Sequence, residues 1–319
     1  MQLPTLAEIE SAAAVIRPHC PPTPQYRWPL LGARAGCEVW VKHENHTPIG
    51  AFKLRGGLYY LDRLRASGRK PAGLVTATRG NHGQSLALAG RLAGVPVTIV
   101  VPHGNSREKN AAMRAFGAEL IETGVDFEAA REAAAALAQA RNLEMVPPFQ
   151  YDLVCGVATC GLEFLRAAPP LDAVYVAVGM GSGACGIIAA RDALGLGTEI
   201  VGVVAANAPA YARSFAAGEV RATGPVHTLA DGVACRVPSA DALAALRRGL
   251  ARIVEVGEAE IGAAMRAYYT DTHNLAEGAG AVALAALLQE GAGHRRRVGI
   301  VLSGGNVDAD VFAPILAAG

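Results

Sequence analysis

The sequence predicts an α/β protein with two open, twisted, mainly parallel sheets, the smaller domain inserted into the larger. Three observations lead there. Short apolar runs alternate with stretches of helical periodicity along most of the chain. The alternation pauses twice, which separates a large domain (residues 1–65 and 150–319) from a small one (66–149). Polar and glycine-rich segments recur just after the apolar runs, where open parallel sheets hold their ligands. Of 319 residues, 51% are hydrophobic and 18% charged, which supplies enough apolar area for buried cores.

Taken in order, Leu6, Ile9, Ala13 and Ile16 mark a first helix. Pro18, Pro21, Pro22 and Pro24 then impose an extended connection. Cys37–His43 alternates as a strand, and Leu54, Leu58, Leu61 and Leu64 space the next helix, which stops near Ser67-Gly68. The small domain reads as strand Gly73–Ala77, a helix from about Gly83 to Leu92, strand Val97–Val101, helix Arg107–Phe116, strand Ala118–Glu122 and the Ala-rich helix Phe127–Arg141. Pro147-Pro148 marks its exit. The pattern resumes with helix Gly156–Arg166, strand Asp172–Val178, a helix from about Ala184 to Leu194 and strand Glu199–Val204. Helix Ala240–Ala251, strand Ile253–Val256, helices Glu258–Thr272 and Ala279–Glu290, strand Val298–Leu302 and a terminal helix complete it.

Composition narrows the function. A formal net charge of +1 gives no general attraction to nucleic acid or to an anionic membrane. The basic run His294-Arg295-Arg296-Arg297 reads as a solvated loop. The cysteines at 20, 37, 155, 160, 185 and 235 form no CxxC pair, so they read as reduced, mostly buried thiols of a cytoplasmic protein. Glu8 and Glu10 interrupt any signal-peptide core, and no apolar run resembles a membrane span. At this length no appended effector-binding module is expected.

Four segments carry chemistry. In Thr47-Pro48-Ile49-Gly50-Ala51-Phe52-Lys53-Leu54-Arg55-Gly56, a lysine sits among apolar and small residues near a helix start. Desolvation and the positive end of the helix dipole both disfavour its ammonium form, and a neutral amine can attack an aldehyde. Thr76–Ser85 follows a strand and opens a helix, where successive N–H groups can hold a carboxylate and Asn81 adds an amide. Gly179-Met180-Gly181-Ser182-Gly183 follows a buried strand and reads as a main-chain anion cradle. Gly181, Gly183 and Gly186 also satisfy G-x-G-x-x-G, which raises a nicotinamide dinucleotide. The acidic residue that motif wants after the next strand is absent from Val201–Arg213, so a single phosphate is preferred. Last, Ser303 places a hydroxyl at the end of the final strand, able to meet a heteroaromatic nitrogen without protonating it. Each segment alone has a bland reading as a surface lysine, a helix cap or a turn. Together, amine, amide, phosphate cradle and hydroxyl match what pyridoxal 5'-phosphate presents.

These runs resemble the serine/threonine dehydratases of the tryptophan-synthase-β-like (fold type II) pyridoxal-phosphate family. Thr47–Gly57, Gly80–Gln84, Gly179–Gly183, Ala230–Val233, Glu277–Ala281 and Ser303–Asp308 follow that family's order over nearly the whole chain. The resemblance implies a cofactor in the cleft between the domains, bound to Lys53 as a Schiff base. It implies that Phe52 packs beside the cofactor and that Asn81 meets the ring 3'-oxygen. The backbone of Gly179, Met180, Gly181, Ser182 and Gly183 would hold the phosphate, Ser303 would meet the pyridine nitrogen, and Glu277 would lie near the ring. Thr78, Arg79, Gly80, Asn81 and His82 would form the substrate segment, with N–H groups of Thr78, Asn81 and His82 receiving the carboxylate. The implied reaction is α,β-elimination from L-threonine or L-serine to a 2-oxo acid and ammonia, with Lys53 taking the Cα proton. A homodimer is expected.

The sequence departs from that family where serine is common. Arg79 replaces the serine that racemases use as a second base, which weighs against a serine racemase; Arg79 either faces solvent or pairs with a substrate carboxylate, as 3-hydroxyaspartate would offer. Phenylserine-type substrates stay open as well. Ala51 replaces another serine. No metal is expected, because Val201–Arg213 lacks acids and His43/His46 read as surface or pocket-wall histidines.

Overall fold

Two sheets organise the chain in the computed structural model, which describes residues 1–318. The N-terminal part runs α1 (Leu6–Ile16), β1 (Gln25–Arg27), α2 (Pro29–Ala35), β2 (Glu38–His43) and α3 (Lys53–Ala66). Then come β3 (Leu74–Ala77), α4 (Asn81–Ala93), β4 (Val97–Val101), α5 (Arg107–Ala115), β5 (Glu119–Glu122), α6 (Phe127–Ala140) and β6 (Glu144–Met145). The chain continues through α7 (Tyr151–Ala167), β7 (Ala173–Ala177), α8 (Ser182–Ala193), β8 (Glu199–Ala205), α9 (Ala210–Ala217) and α10 (Ala240–Gly249). It ends with β9 (Arg252–Val256), α11 (Glu258–Thr272), α12 (Gly278–Glu290), β10 (Arg297–Leu302) and α13 (Ala309–Ala317).

The larger sheet has the order β1-β2-β10-β7-β8-β9 and the smaller β5-β4-β3-β6. Pairing is parallel throughout except for β1 against β2. Strand β10 is central: Val298 pairs with Val39 on one side and Ala173 on the other. Val298, Ile300, Val301 and Leu302 are all buried, the continuous apolar run expected of a parallel strand covered on both faces. One cover is α12, whose Ala- and Gly-rich residues from Gly278 to Leu287 are all buried.

The sequence reading missed short elements bounded by breakers. Pro29 occupies the first turn of α2, where its missing N–H costs nothing, and Gly36 ends that helix at φ 71°. The eight-residue α9 lies between Pro209 and the left-handed Gly218. Several helices also begin earlier than expected, among them α8 at Ser182. Helix α4 starts at Asn81, with Gly80 at φ 159° before it. Helix α7 starts at Tyr151, where the Gln150 side chain accepts from Asp152 N. Gly156 is interior to α7, not its beginning. A Cβ there would lie 2.3 Å from the Arg55 carbonyl oxygen, so glycine serves the close crossing of α3 and α7.

That crossing encloses an ion network. Arg55 Nε and Nη2 donate to the two Glu44 carboxylate oxygens at 2.7 and 2.9 Å. Arg55 Nη1 and Nη2 each reach Glu163 at 2.8 Å, and Lys42 Nζ meets Glu163 at 2.7 Å. Arg55, Glu44 and Lys42 are each 0% exposed. Paired charges with this geometry hold the start of α3 to β2 and α7.

Candidate active site

Three of the four segments meet because β2, β10 and β7 are adjacent and parallel, so their C-terminal ends share one rim. After β2 the chain turns through Gly50 (φ 69°) to Lys53, the first residue of α3. Thr47 pins the turn, its Oγ1 donating to Ala51 O and accepting from Ala51 N. The loop after β10 is laced to it: Phe52 N donates to Ser303 O at 3.0 Å and Gly305 N to Gly50 O at 2.9 Å. Asn306 Nδ2 donates both to Ile49 O and to Asn81 Oδ1, at 2.8 Å each, and so brings in the start of α4 from the smaller sheet. Ser85 Oγ, on α4, donates to Lys53 O at 2.6 Å.

The glycine-rich loop after β7 faces this junction. Gly181 caps α8 in the left-handed region, φ 97°, a conformation glycine adopts without strain. A Cβ on Gly179 would stand 2.2 Å from Gly232 O, so the two loops touch through backbone alone. The first N–H groups of α8 have no helical acceptor and point out of its N-terminus. Gly186 instead packs α8 against Ala158 of α7, which explains its place in the G-x-G-x-x-G spacing without a dinucleotide. Lys53 Nζ donates to Ser182 Oγ at 2.8 Å, so the amine stands at the head of the cradle. Burial pushes its pKa down to about 8.

All the candidate residues line one cavity: Phe52 and Lys53, Thr78 to His82, Gly179 to Gly183, Glu277 and Ser303. One expected contact fails. The Thr78 N–H is taken by Val100 O at 3.1 Å as part of the smaller sheet. Thr78 contributes its hydroxyl, which accepts from Gly80 N at 3.0 Å. The free donors there are the first-turn N–H groups of α4, which include Asn81 and His82.

A cluster of polar side chains also lines the cavity. Asn81 Nδ2 donates to Glu277 Oε1 at 2.6 Å. Lys109 Nζ lies 3.0 Å from Glu277 Oε2 and 2.6 Å from Asp231 Oδ2. Burial raises the Glu277 pKa against the pull of Lys109. For Lys109, burial acts downward, but the two carboxylates overcome it and the pKa rises. Sequence reasoning missed Lys109. A signal was present, since two cations in the first turn of α5 oppose the helix dipole and ask for acidic partners elsewhere. Nearby, Asp308 accepts from Ser106 Oγ and from Arg107 N, so α5 is tied to the large-sheet side at several points. Ser303 Oγ donates to Ala279 O at 3.3 Å. His82 Nε2 is buried without a partner, and burial pushes its pKa down to about 3, so the ring is neutral.

A family model described as pyridoxal-phosphate dependent enzyme matches residues 16–304. The chain belongs to this family. Similar proteins include an L-threo-3-hydroxyaspartate ammonia-lyase from Pseudomonas sp, 32% identical over 318 residues and 99% of each chain. An L-threonine ammonia-lyase from Thermotoga maritima is 32% identical over 291 residues, covering 91% of this chain and 72% of that one. The solved structure of maize serine racemase superposes with a TM-score of 0.92 at 25% identity, covering 99% and 98% of the two chains.

The residues of this member fit pyridoxal phosphate. The 179–183 loop leads into the first turn of α8, whose N–H groups have no helical acceptor, and Lys53 stands beside it at Ser182. The Phe52 ring lies against Gly183, where a Cβ would come 3.5 Å from it. Among the described residues no helix is long and apolar enough to cross a membrane, and no group of three or more His, Cys, Asp or Glu side chains is placed to hold a metal.

Proposed function

We propose that this chain is an ammonia-lyase that converts 3-hydroxy amino acids, L-threonine and L-serine being the simplest, to a 2-oxo acid and ammonia. The observation that carries the proposal is the position of Lys53, an amine with its pKa near 8 at 2.8 Å from Ser182, in a cavity that the Ser303 hydroxyl also lines. When bound, pyridoxal phosphate supplies the electrophilic carbon for the substrate amine and a π-system that takes up electron density as the Cα proton leaves. Lys53 Nζ holds the cofactor in the resting enzyme and accepts that proton. The N–H groups of Asn81 and His82 orient the substrate carboxylate, and the first turn of α8 with Ser182 binds the phosphate. Asn81 Nδ2, which donates to Glu277 Oε1 at 2.6 Å, would meet the ring 3'-oxygen. Ser303 Oγ would meet the ring nitrogen as a neutral hydrogen-bond partner that supplies no acid there, which suits prompt loss of the β-hydroxyl.

Arg79 favours a lyase over a racemase. A guanidinium keeps its protons and cannot serve as a base on the opposite face of the substrate. In this reading residues 66–149 form the smaller unit of the cleft, and the enzyme works as a cytoplasmic homodimer. The test is 2-oxo acid formation by the pyridoxal-phosphate-loaded protein from a panel of 3-hydroxy amino acids. Turnover of at least one member, abolished in Lys53→Ala, is expected; a panel that yields no 2-oxo acid, or a Lys53→Ala variant as active as the parent, would sink the proposal.

A further inference from the structure

We infer that Arg79 selects substrates whose side chain ends in a second carboxylate, so that the preferred 3-hydroxy amino acids are dicarboxylic. The inference rests on the ammonia-lyase reading and refines its substrate class. The cavity around Lys53 adjoins a second one of about 820 Å³. The two share walls at Ala77, Arg79, Phe127, Pro148, Met180 and Cys235. In that shared wall Arg79 is the charged residue. A methyl or a hydrogen on the β-carbon would leave both the outer space and the guanidinium without a contact.

The charge inventory singles out the same side chain. In the outer cavity Arg131 pairs with Glu128 at 2.8 Å and Arg236 with Asp126 at 3.4 Å. In the inner cavity Lys109 is held by Asp231 and Glu277. Arg79 has no hydrogen-bond or ion-pair partner among the described residues, and it is exposed where the two cavities meet. Its backbone position adds direction. Arg79 lies two residues before Asn81, whose N–H belongs to the helix start that receives the α-carboxylate. A substrate anchored there would lie beside Arg79, whose planar guanidinium can take a carboxylate through two parallel N–H···O bonds.

The chemistry needs no further reactant. The Cα–H proton goes to Lys53 Nζ, the Cβ–O bond breaks, and the hydroxyl leaves with one proton as water. The resulting enamine becomes an imine, which water hydrolyses to a 2-oxo diacid and ammonia. The water released equals the water consumed.

The test compares kcat/KM of the holoenzyme for both 3-hydroxyaspartate diastereomers of the L series and for L-threonine, in the parent, Arg79→Ala and Arg79→Lys. In the parent the better diastereomer should exceed threonine. Arg79→Ala should lower the ratio of dicarboxylate to threonine at least about tenfold, mainly through KM, and Arg79→Lys should restore part of it. A ratio unmoved by Arg79→Ala, or a parent that turns over threonine and neither diastereomer, would overturn the inference while leaving the lyase reading intact. Failure with all three substrates would overturn the inference, and the lyase reading falls with it only if L-serine and the rest of the wider panel also yield no 2-oxo acid. A second measurement does not depend on the variants folding: succinate should raise the melting temperature of the parent holoenzyme more than butyrate does, and equal shifts would count against the role given to Arg79.

Discussion

The Arg55 network couples stability to the position of Lys53 at the start of α3, and Arg55→Met probes it. The substitution keeps much of the side-chain volume and removes the charge. Glu163 would keep Lys42 at 2.7 Å, whereas Glu44 would keep only the Thr23 hydroxyl at 2.6 Å. Glu44 is 0% exposed, so a carboxylate without its cation would stay buried. Breaking one partner of a buried pair costs about 3–5 kcal/mol, and that loss is expected at pH 7 in urea unfolding of the apoprotein. The pH dependence has a defined sign. In the parent, burial pushes the Glu44 pKa up, but Arg55 outweighs it and the folded value lies below the usual one. Its contribution is therefore present above the unfolded pKa of roughly 4.3 and is lost as pH falls through the folded value. Without Arg55 the burial effect dominates and the folded pKa lies above the unfolded one. The folded variant then takes up a proton first, so its deficit should shrink between pH 7 and pH 5. Adding Glu44→Gln should recover about 1–3 kcal/mol at pH 7 by removing the stranded charge. A deficit under about 1 kcal/mol, or one that grows at pH 5, would refute this account of the network.

Further outcomes are expected at the site itself. The rate at which borohydride-trappable pyridoxal phosphate forms on the apoprotein should climb about tenfold per pH unit and level off above pH 8, following the neutral fraction of Lys53; a flat profile from pH 6 to 9 would contradict a desolvated amine. Gly179→Ala would force its Cβ to within 2.2 Å of Gly232 O unless a loop moves, so cofactor affinity should fall at least about tenfold while the fold survives, as read by titration of the bound chromophore and by circular dichroism. Lys109→Met should cost about 3–5 kcal/mol by leaving buried Glu277 without its cation, and Lys109→Met/Glu277→Gln should regain part of it in the same unfolding assay.

The residues that line the candidate site stood out in the sequence for a physical reason. Its groups sit in short loops directly after strands, where composition is unusual: a lysine among apolar residues, a run of glycines, a serine ending a buried strand. Such positions need special backbone geometry or an unusual charge state, and few residue types satisfy either. The structural charges gave no such mark. Arg55 meets Glu44 and Glu163 across separations of 11 and 108 residues, and Lys109 looks like one charge among several in Arg107-Glu108-Lys109. The Thr78 error had a related origin. Whether its N–H was free depended on pairing with Val100, a sheet register that local sequence does not encode.

Strand order is where the two lines of reasoning meet. From the sequence alone, Lys53, the 179–183 loop and Ser303 belong together only because a pyridoxal ring, its aldehyde and its phosphate would need all three. In the fold, the same grouping follows with no reference to a cofactor. Strand β10 lies between β2 and β7, so the loops that leave those three strands emerge side by side. The bridge between Ala51 and Gly304 and the bond from Phe52 N to Ser303 O then fix the first of these loops to the last. A strand supplied near the end of the chain thus completes a candidate site whose lysine lies near its beginning. Without β10 in place, neither the central pairings of the larger sheet nor the Ser303 wall of the cavity around Lys53 exists, so the sheet and the candidate site depend on the same long-range pairing.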